Sequence, residues 1–305
     1  MRPSPLPPAT PLLVLGASSL IGRALARVAP KLNAYWLSRS MRDTPGWITA
    51  DLASPRLAQD LSGIAPLSTV LALTPIWITA PAVPALAALG VKRILAISST
   101  SRFTKAASPE AAEREVAQRL AASEAQFIAA CAEHGLAYTL FRPTLIYDEG
   151  FDRNISRLAA LIRRTRVAPL SGNGRGRRQP VHAEDLALGA LQALADPRTE
   201  GQVYNTPGGE TLTYRQMVER LFAALGLKPN IIAFPSWIWR LAFLVAKPVL
   251  PGATAAMGAR MAEDLVFDDA AARRDFGWSP RPFRPSFPGV TAAPDRRRKS
   301  PPQSR

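Results

Sequence analysis

The residues of this chain best placed to do chemistry lie near its start. Leu12-Leu13-Val14-Leu15 is a continuous apolar run, as a strand buried on both faces requires, and Gly16-Ala17-Ser18-Ser19 is a turn of small residues. Ile21, Ala24, Leu25 and Val28 then recur at helical spacing. At such a helix start the unpaired backbone N–H groups and the positive end of the helix dipole hold a phosphate. Gly16 permits the tight turn and Gly22 a close helix-to-strand approach. The middle position, where a glycine normally admits a pyrophosphate, holds Ser19. The pattern predicts a dinucleotide seat on Gly16, Ser18, Ser19, Leu20, Ile21 and Gly22, and a plain turn is the alternative these residues leave open.

A second signal is charge. Arg153, Arg157, Arg163, Arg164, Arg166, Arg175, Arg177 and Arg178 follow one another with no acidic residue before Glu184. Such one-sided charge in a folded region predicts an anionic ligand, with Arg163 and Arg164 read as a solvated helix face. No aromatic residues interleave with these arginines, so single-stranded nucleic acid is not the expected partner.

The chain has 305 residues, 47% of them hydrophobic, and a formal net charge of +15. That suffices for a large core and excludes a disordered chain. The basic stretch Asp295-Arg296-Arg297-Arg298-Lys299 reads as a disordered tail, and Met1 to Pro8 lacks the apolar run of a signal peptide. The single Cys131 sits among Phe127 and Ile128 and is expected to pack in a reducing cytosol. No segment reaches the roughly 20 apolar residues of a membrane span. Trp237, Trp239 and Phe243 form the most apolar cluster, expected to be buried against the chain's own domain or a partner subunit, with contact to a membrane surface as the other reading. The expected location is cytoplasmic, with a peripheral place at the inner membrane face left open.

These residues need a scaffold. Asn33 to Leu37, Trp47 to Thr49, Thr69 to Leu73, Val91 to Ser98 and Tyr138 to Arg142 read as further strands. A long helix is capped by Ser108 and ended by Gly135. Strands alternating with helices predict an α/β, doubly wound parallel sheet with ligands at the carboxyl ends of its strands. After Pro143 the texture changes. Val181 to Ala195 reads as a strand and helix, Gln202 to Asn205 as a strand, and helices begin near Thr213 and Ser236. The expected division is a lead-in over 1–11, a dinucleotide-binding domain over 12–150 with 179–205 returning to it, a smaller interleaved substrate lobe over 151–288, and a basic tail over 289–305.

In this order the motifs resemble those of the extended and atypical short-chain dehydrogenase/reductases, specifically the NAD-dependent epimerase/dehydratase group acting on nucleotide sugars. The motifs are Gly16 to Gly22, Asp51-Leu52, Ser98-Ser99-Thr100, Phe141-Arg142-Pro143-Thr144-Leu145-Ile146-Tyr147, Arg178 to Ala187 and Asp275-Phe276-Gly277-Trp278-Ser279-Pro280. The resemblance implies a Rossmann-type fold, with Asp51 beside the adenine, Leu52 and Thr74 among the cofactor-binding residues, Ser99 near the nicotinamide and substrate, and Asn154 and Arg178 toward the substrate's nucleotide diphosphate. Ser38-Arg39 ends the second strand where an NAD enzyme usually places a carboxylate, which favours NADP, while Asp43 keeps NAD open.

The chain also departs from the group at its catalytic pair. No Tyr-x-x-x-Lys occurs, and aligning Glu124 with the group's usual glutamate puts Val116 and Leu120 at the tyrosine and lysine positions. The expected substitute is Ser99 or Thr100 orienting a substrate hydroxyl, Lys105 supplying charge or a proton, and Tyr147 as acid/base. Lys105 as a solvated loop residue and Tyr147 as cleft wall are the alternatives. The expected function is an NAD(P)-dependent oxidoreductase or epimerase-like enzyme for a nucleotide sugar or similar anion, by analogy a homodimer. A non-catalytic dinucleotide-binding accessory protein, like the complex I subunit of this fold, is the second reading, and a nucleic-acid binder the third.

Overall fold

The computed structural model describes residues 11–64, 66–235, 258 and 260–287. The predicted tail, the first ten residues, and Trp237, Trp239 and Phe243 with the helix expected from Ser236 lie outside the described residues.

In chain order the elements are β1 (Leu12–Leu15), α1 (Leu20–Val28), β2 (Ala34–Ser38), β3 (Trp47–Thr49), α2 (Leu57–Asp60), β4 (Thr69–Pro75), α3 (Ile76–Thr79), α4 (Val83–Ala88), β5 (Arg93–Ile97), α5 (Ser101–Thr104), α6 (Ala111–Glu133) and β6 (Ala137–Pro143). They continue with β7 (Ile146–Tyr147), α7 (Ile155–Thr165), β8 (Ala168–Ser171), β9 (Arg177–Arg178), β10 (Val181–His182), α8 (Ala183–Ala195), β11 (Gln202–Thr206), β12 (Leu212–Thr213), α9 (Tyr214–Ala224), β13 (Ile231–Phe234) and α10 (Ala270–Phe276).

Seven parallel strands form the central sheet in the order β11-β6-β5-β4-β1-β2-β3. The strand order reverses between β1 and β4, so their carboxyl ends flank the crevice where a doubly wound sheet takes its ligand. The two-residue period of strands sorts the core. Leu13, Leu15, Val70, Ala72, Ile94 and Ala96 face α4 and α6, while Leu12, Val14, Leu71, Leu73, Leu95 and Ile97 face α1, α8 and α10. A third cluster joins α7, β8 and α9 through Ile155, Ile162, Leu170, Val218 and Phe222.

Some local expectations are displaced. The long helix begins at Ala111 with Glu110 as its N-cap residue, because the Ser108 hydroxyl takes the Glu110 amide and donates to Glu113 instead. β4 runs on to Pro75 through a register shift against β5, which carries the chain into α3. β10 pairs with β7 outside the main sheet, and it is β11 that joins the sheet beside β6. α9 begins as the residues at 213 suggest, with a capping box between Thr213 and Gln216.

Candidate active site

The turn from β1 into α1 forms the first wall of the site. Gly16 has a φ of +77°, and a Cβ there would come within 2.8 Å of Thr74 Cγ2, so a side chain would push β1 off β4. A Cβ on Gly22 would meet the Gly16 and Ala17 carbonyl oxygens at 2.6 Å, the close approach the third glycine position demands. Between them Ser19 is the N-cap of α1: its Oγ accepts the Gly22 amide at 3.1 Å, and its own amide donates to the Gly16 carbonyl. The Leu20 and Ile21 amides open the helix and find no carbonyl within it. Both residues line a cleft of about 410 Å³.

The carboxyl ends of β4 and β5 make the second wall with Thr74, Ile76, Trp77, Ser98, Ser99 and Ser101. α6 closes the third with Val116 and Leu120, and Ile146 stands beside them. The two positions matched to the group's Tyr and Lys therefore do face the cleft, as apolar side chains. Ser99 Oγ accepts the Ser101 amide at 3.1 Å and keeps its own O–H for another acceptor. Thr100 is buried behind it and donates to the Pro143 carbonyl at 3.0 Å.

Behind Ser98 lies a charged knot. Buried Glu124 accepts from Ser98 Oγ at 2.5 Å, from Arg142 through Nε and Nη2, and from Arg102. Burial pushes the Glu124 carboxyl up, but the Arg142 and Ser98 hydrogen bonds, the Arg142 charge and the Arg102 hydrogen bond outweigh it and hold the group below the ordinary carboxylate range.

Other residues singled out in the sequence lie elsewhere. Lys105 approaches Glu113 at 3.7 Å, and Glu113 also holds Arg260, so the amine is drawn to that cluster rather than into the cleft lining. Tyr147 is 1% exposed, packed edge-on to His182 and Phe283, and burial pushes its phenol well up. Arg178 is buried as well, its guanidinium donating to the Arg177, Glu263 and Arg260 carbonyls, and burial lowers its pKa. Asn154 is the exposed N-cap of α7 and its side chain makes no capping bond. Arg39 is exposed at the end of β2, next to Ser38, whose Oγ donates to Ser18 Oγ at 3.1 Å. Asp51 is exposed and accepts the Ala53 amide, while Leu52 is buried. Burial pushes the Cys131 thiol up to about 12, which leaves it inert.

Trp77, Ser101 and Ile146 are cleft residues that sequence reasoning does not single out. Trp77 follows β4 in a four-residue helix too short to show periodicity, and only the run of β4 past Leu73 sets it over the crevice.

Residues 12–206 match the family model described as the NAD dependent epimerase/dehydratase family. The chain belongs to that family. The epimerase/dehydratase family is one of enzymes, and two curated relatives show its range. A 2-alkyl-3-oxoalkanoate reductase of Stenotrophomonas maltophilia is 28% identical over 188 residues, 57% of this chain and 54% of that protein. A UDP-glucose 4-epimerase of Vibrio cholerae is 24% identical over 161 residues, 50% of this chain and 49% of that protein. The chain thus spans about half the length of the curated relatives it matches. Solved structures extend the likeness of fold. MoeE5 in complex with UDP-glucose and NAD superposes with a TM-score of 0.65 at 22% identity, covering 89% of this chain and 93% of that one. A UDP-glucose 4-epimerase of Thermotoga maritima with UDP-glucose gives 0.65 at 15% identity, covering 89% and 94%. Among the described residues no helix is long and apolar enough to cross a membrane.

Proposed function

We propose that this member of the epimerase/dehydratase family is an NADP-dependent oxidoreductase or epimerase-like enzyme for a small anionic substrate, a nucleotide sugar or a similar anion. One observation carries the reading: Leu20 and Ile21 at the start of α1, Thr74 and Ser99 line a single cleft at the carboxyl edge of the sheet, where the strand order reverses. The matched relatives, a reductase and an epimerase, support chemistry at a carbonyl or carbinol carbon.

The residues fit a dinucleotide. Gly16 and Gly22 let backbone lie where side chains would intrude, and the first amides of α1 stand ready for a pyrophosphate. Although the family is named for NAD, β2 ends in Ser38 and Arg39 with no carboxylate to accept a ribose 2′-hydroxyl, and the exposed Arg39 is suited to a 2′-phosphate. When bound, the cofactor supplies or accepts a hydride. Ser99 then donates its O–H to the substrate oxygen, and Thr100 fixes the β5 end against β6. With Val116 and Leu120 in place of a tyrosine and lysine, the proton that accompanies the hydride comes through Ser99 or from water at the cleft mouth. Of the two residues read from the resemblance as diphosphate contacts, Arg178 acts here only if it gives up its three carbonyls, while Asn154 stands exposed at the start of α7.

The test is calorimetry with NADPH and NADH, followed by turnover assays on nucleotide sugars and small oxo acids, with the absorbance of the reduced nicotinamide as readout. Tight NADPH binding and turnover on one substrate are expected. Failure of both cofactors to bind would overturn the proposal. Tight binding with no turnover on any substrate would turn it into the non-catalytic reading.

A further inference from the structure

Resting on the cofactor seat proposed above, we infer that the substrate end of the cleft takes a carboxylic acid with an apolar body, an aliphatic oxo acid rather than a hexose, and that Arg119 holds its carboxylate. The first ground is the lining. Beyond the seat, the walls are Ile76, Trp77, Val116, Leu120 and Ile146. Of the hydroxyls there, Ser98 is committed to Glu124 and Thr74 pairs with Thr79 at 2.8 Å, which leaves those of Ser99 and Ser101. A sugar ring would lose water from several hydroxyls and find few partners, whereas an alkyl chain loses nothing by leaving water. Ser99 keeps one O–H, enough for one carbonyl oxygen.

The second ground is the cation at the rim. Arg119 follows Val116 by three residues on α6, and so shares its face. Its guanidinium carbon lies 4.6 Å from the centroid of the Trp77 ring, which is itself part of the cleft wall. Arg119 is exposed and forms no ion pair among the described residues. A guanidinium held over an indole is positioned for a bidentate carboxylate while the ring beneath it contacts the ligand's apolar part. Below, Arg102 and Arg142 share the single carboxylate of Glu124, so the floor also carries an excess of positive charge. Among the described polar side chains at the cleft, Arg119 alone joins charge, exposure and contact with the wall.

The experiment is calorimetric titration of 3-oxooctanoate into protein saturated with NADP⁺, a pairing of oxidised substrate with oxidised cofactor that cannot turn over. UDP-glucose and 2-octanone are the comparison probes. The oxo acid should bind more tightly than either and quench the fluorescence that is lost in Trp77→Phe. Arg119→Ala should weaken the oxo acid tenfold or more, Arg119→Lys less, and neither should alter 2-octanone or NADP⁺ binding, which also shows that the variants are folded. UDP-glucose binding more tightly than the acid, or an acid affinity indifferent to Arg119→Ala with NADP⁺ binding intact, would overturn the inference. Should NADP⁺ itself not bind to the unaltered protein, the cofactor reading fails, and titration of the acid alone still decides the role of Arg119.

Discussion

Arg39 concentrates the choice of cofactor in a single side chain. Its neighbour Ser38 is turned inward against Ser18, so in the proposed cofactor seat the exposed Arg39 guanidinium is the group at the β2 end that would meet a ribose substituent. Replacing it with aspartate exchanges a partner for a 2′-phosphate for an acceptor of a 2′-hydroxyl. Arg39→Asp should weaken NADPH at least tenfold and strengthen NADH, with Kd values from calorimetry as the check. An unchanged preference would place the 2′ position elsewhere. Ser19 shows the same economy. It stands where a glycine normally admits a pyrophosphate. The side chain is spent on capping α1, and in the proposed seat a pyrophosphate would be met by the amides of Leu20 and Ile21, the residues that line the cleft.

At the level of elements, α6 does two jobs that its sequence only half declares. Ala117, Leu120, Phe127 and Cys131 recur at helical spacing and bury one face. Within that face lies Glu124, whose carboxylate ties β5 through Ser98 and β6 through Arg142. The depressed pKa of Glu124 fixes the sign of its effect with pH. Its contribution to stability is complete above the ordinary glutamate value of about 4.3 and is lost as pH falls through the lower folded value. Glu113, raised by burial but lowered more by Arg260 and Ser108, adds in the same direction. Urea unfolding from pH 7 down to 3 should therefore show stability falling below about pH 4. Glu124→Gln, which leaves two arginines without their counter-charge, should cost about 3 kcal/mol or more at pH 7 and flatten that fall. Equal slopes for both proteins would remove Glu124 from the explanation. The strands of the sheet and the helix at Thr213 were legible because apolar runs and caps are local signals. The partners of Arg178 and Lys105 were not, because they are carbonyls and a carboxylate brought in from residues 260–263 and from Glu113, which no spacing rule links to them.

Across the whole molecule, the stretch 260–287 binds separate regions together. Arg260 reaches Glu113 on α6, Asp264 pairs with Arg177, and Asp275 accepts from Tyr204 on β11. Arg281 bridges Glu184 and Asp185 at the start of α8, and Phe283 enters the cluster of α7 and α9. The anchor is Trp278. Its ring is 2% exposed in the sheet-facing cluster, near Phe141 and Phe276, and its Nε1 donates to the Pro207 carbonyl at 3.0 Å. If these contacts make the stretch part of one cooperative unit, losing the ring must weaken the sheet and the α7/α9 cluster alike. Trp278→Ala should lower stability by about 3–5 kcal/mol, the usual cost of emptying a buried aromatic site, in a single transition whose urea midpoint falls while its slope is kept. A separate early transition, with the main midpoint unmoved, would mean that residues 260–287 melt off a sheet that stands without them. The cleft between α1 and α6 would then owe its shape to β1, β4, β5 and α6 alone.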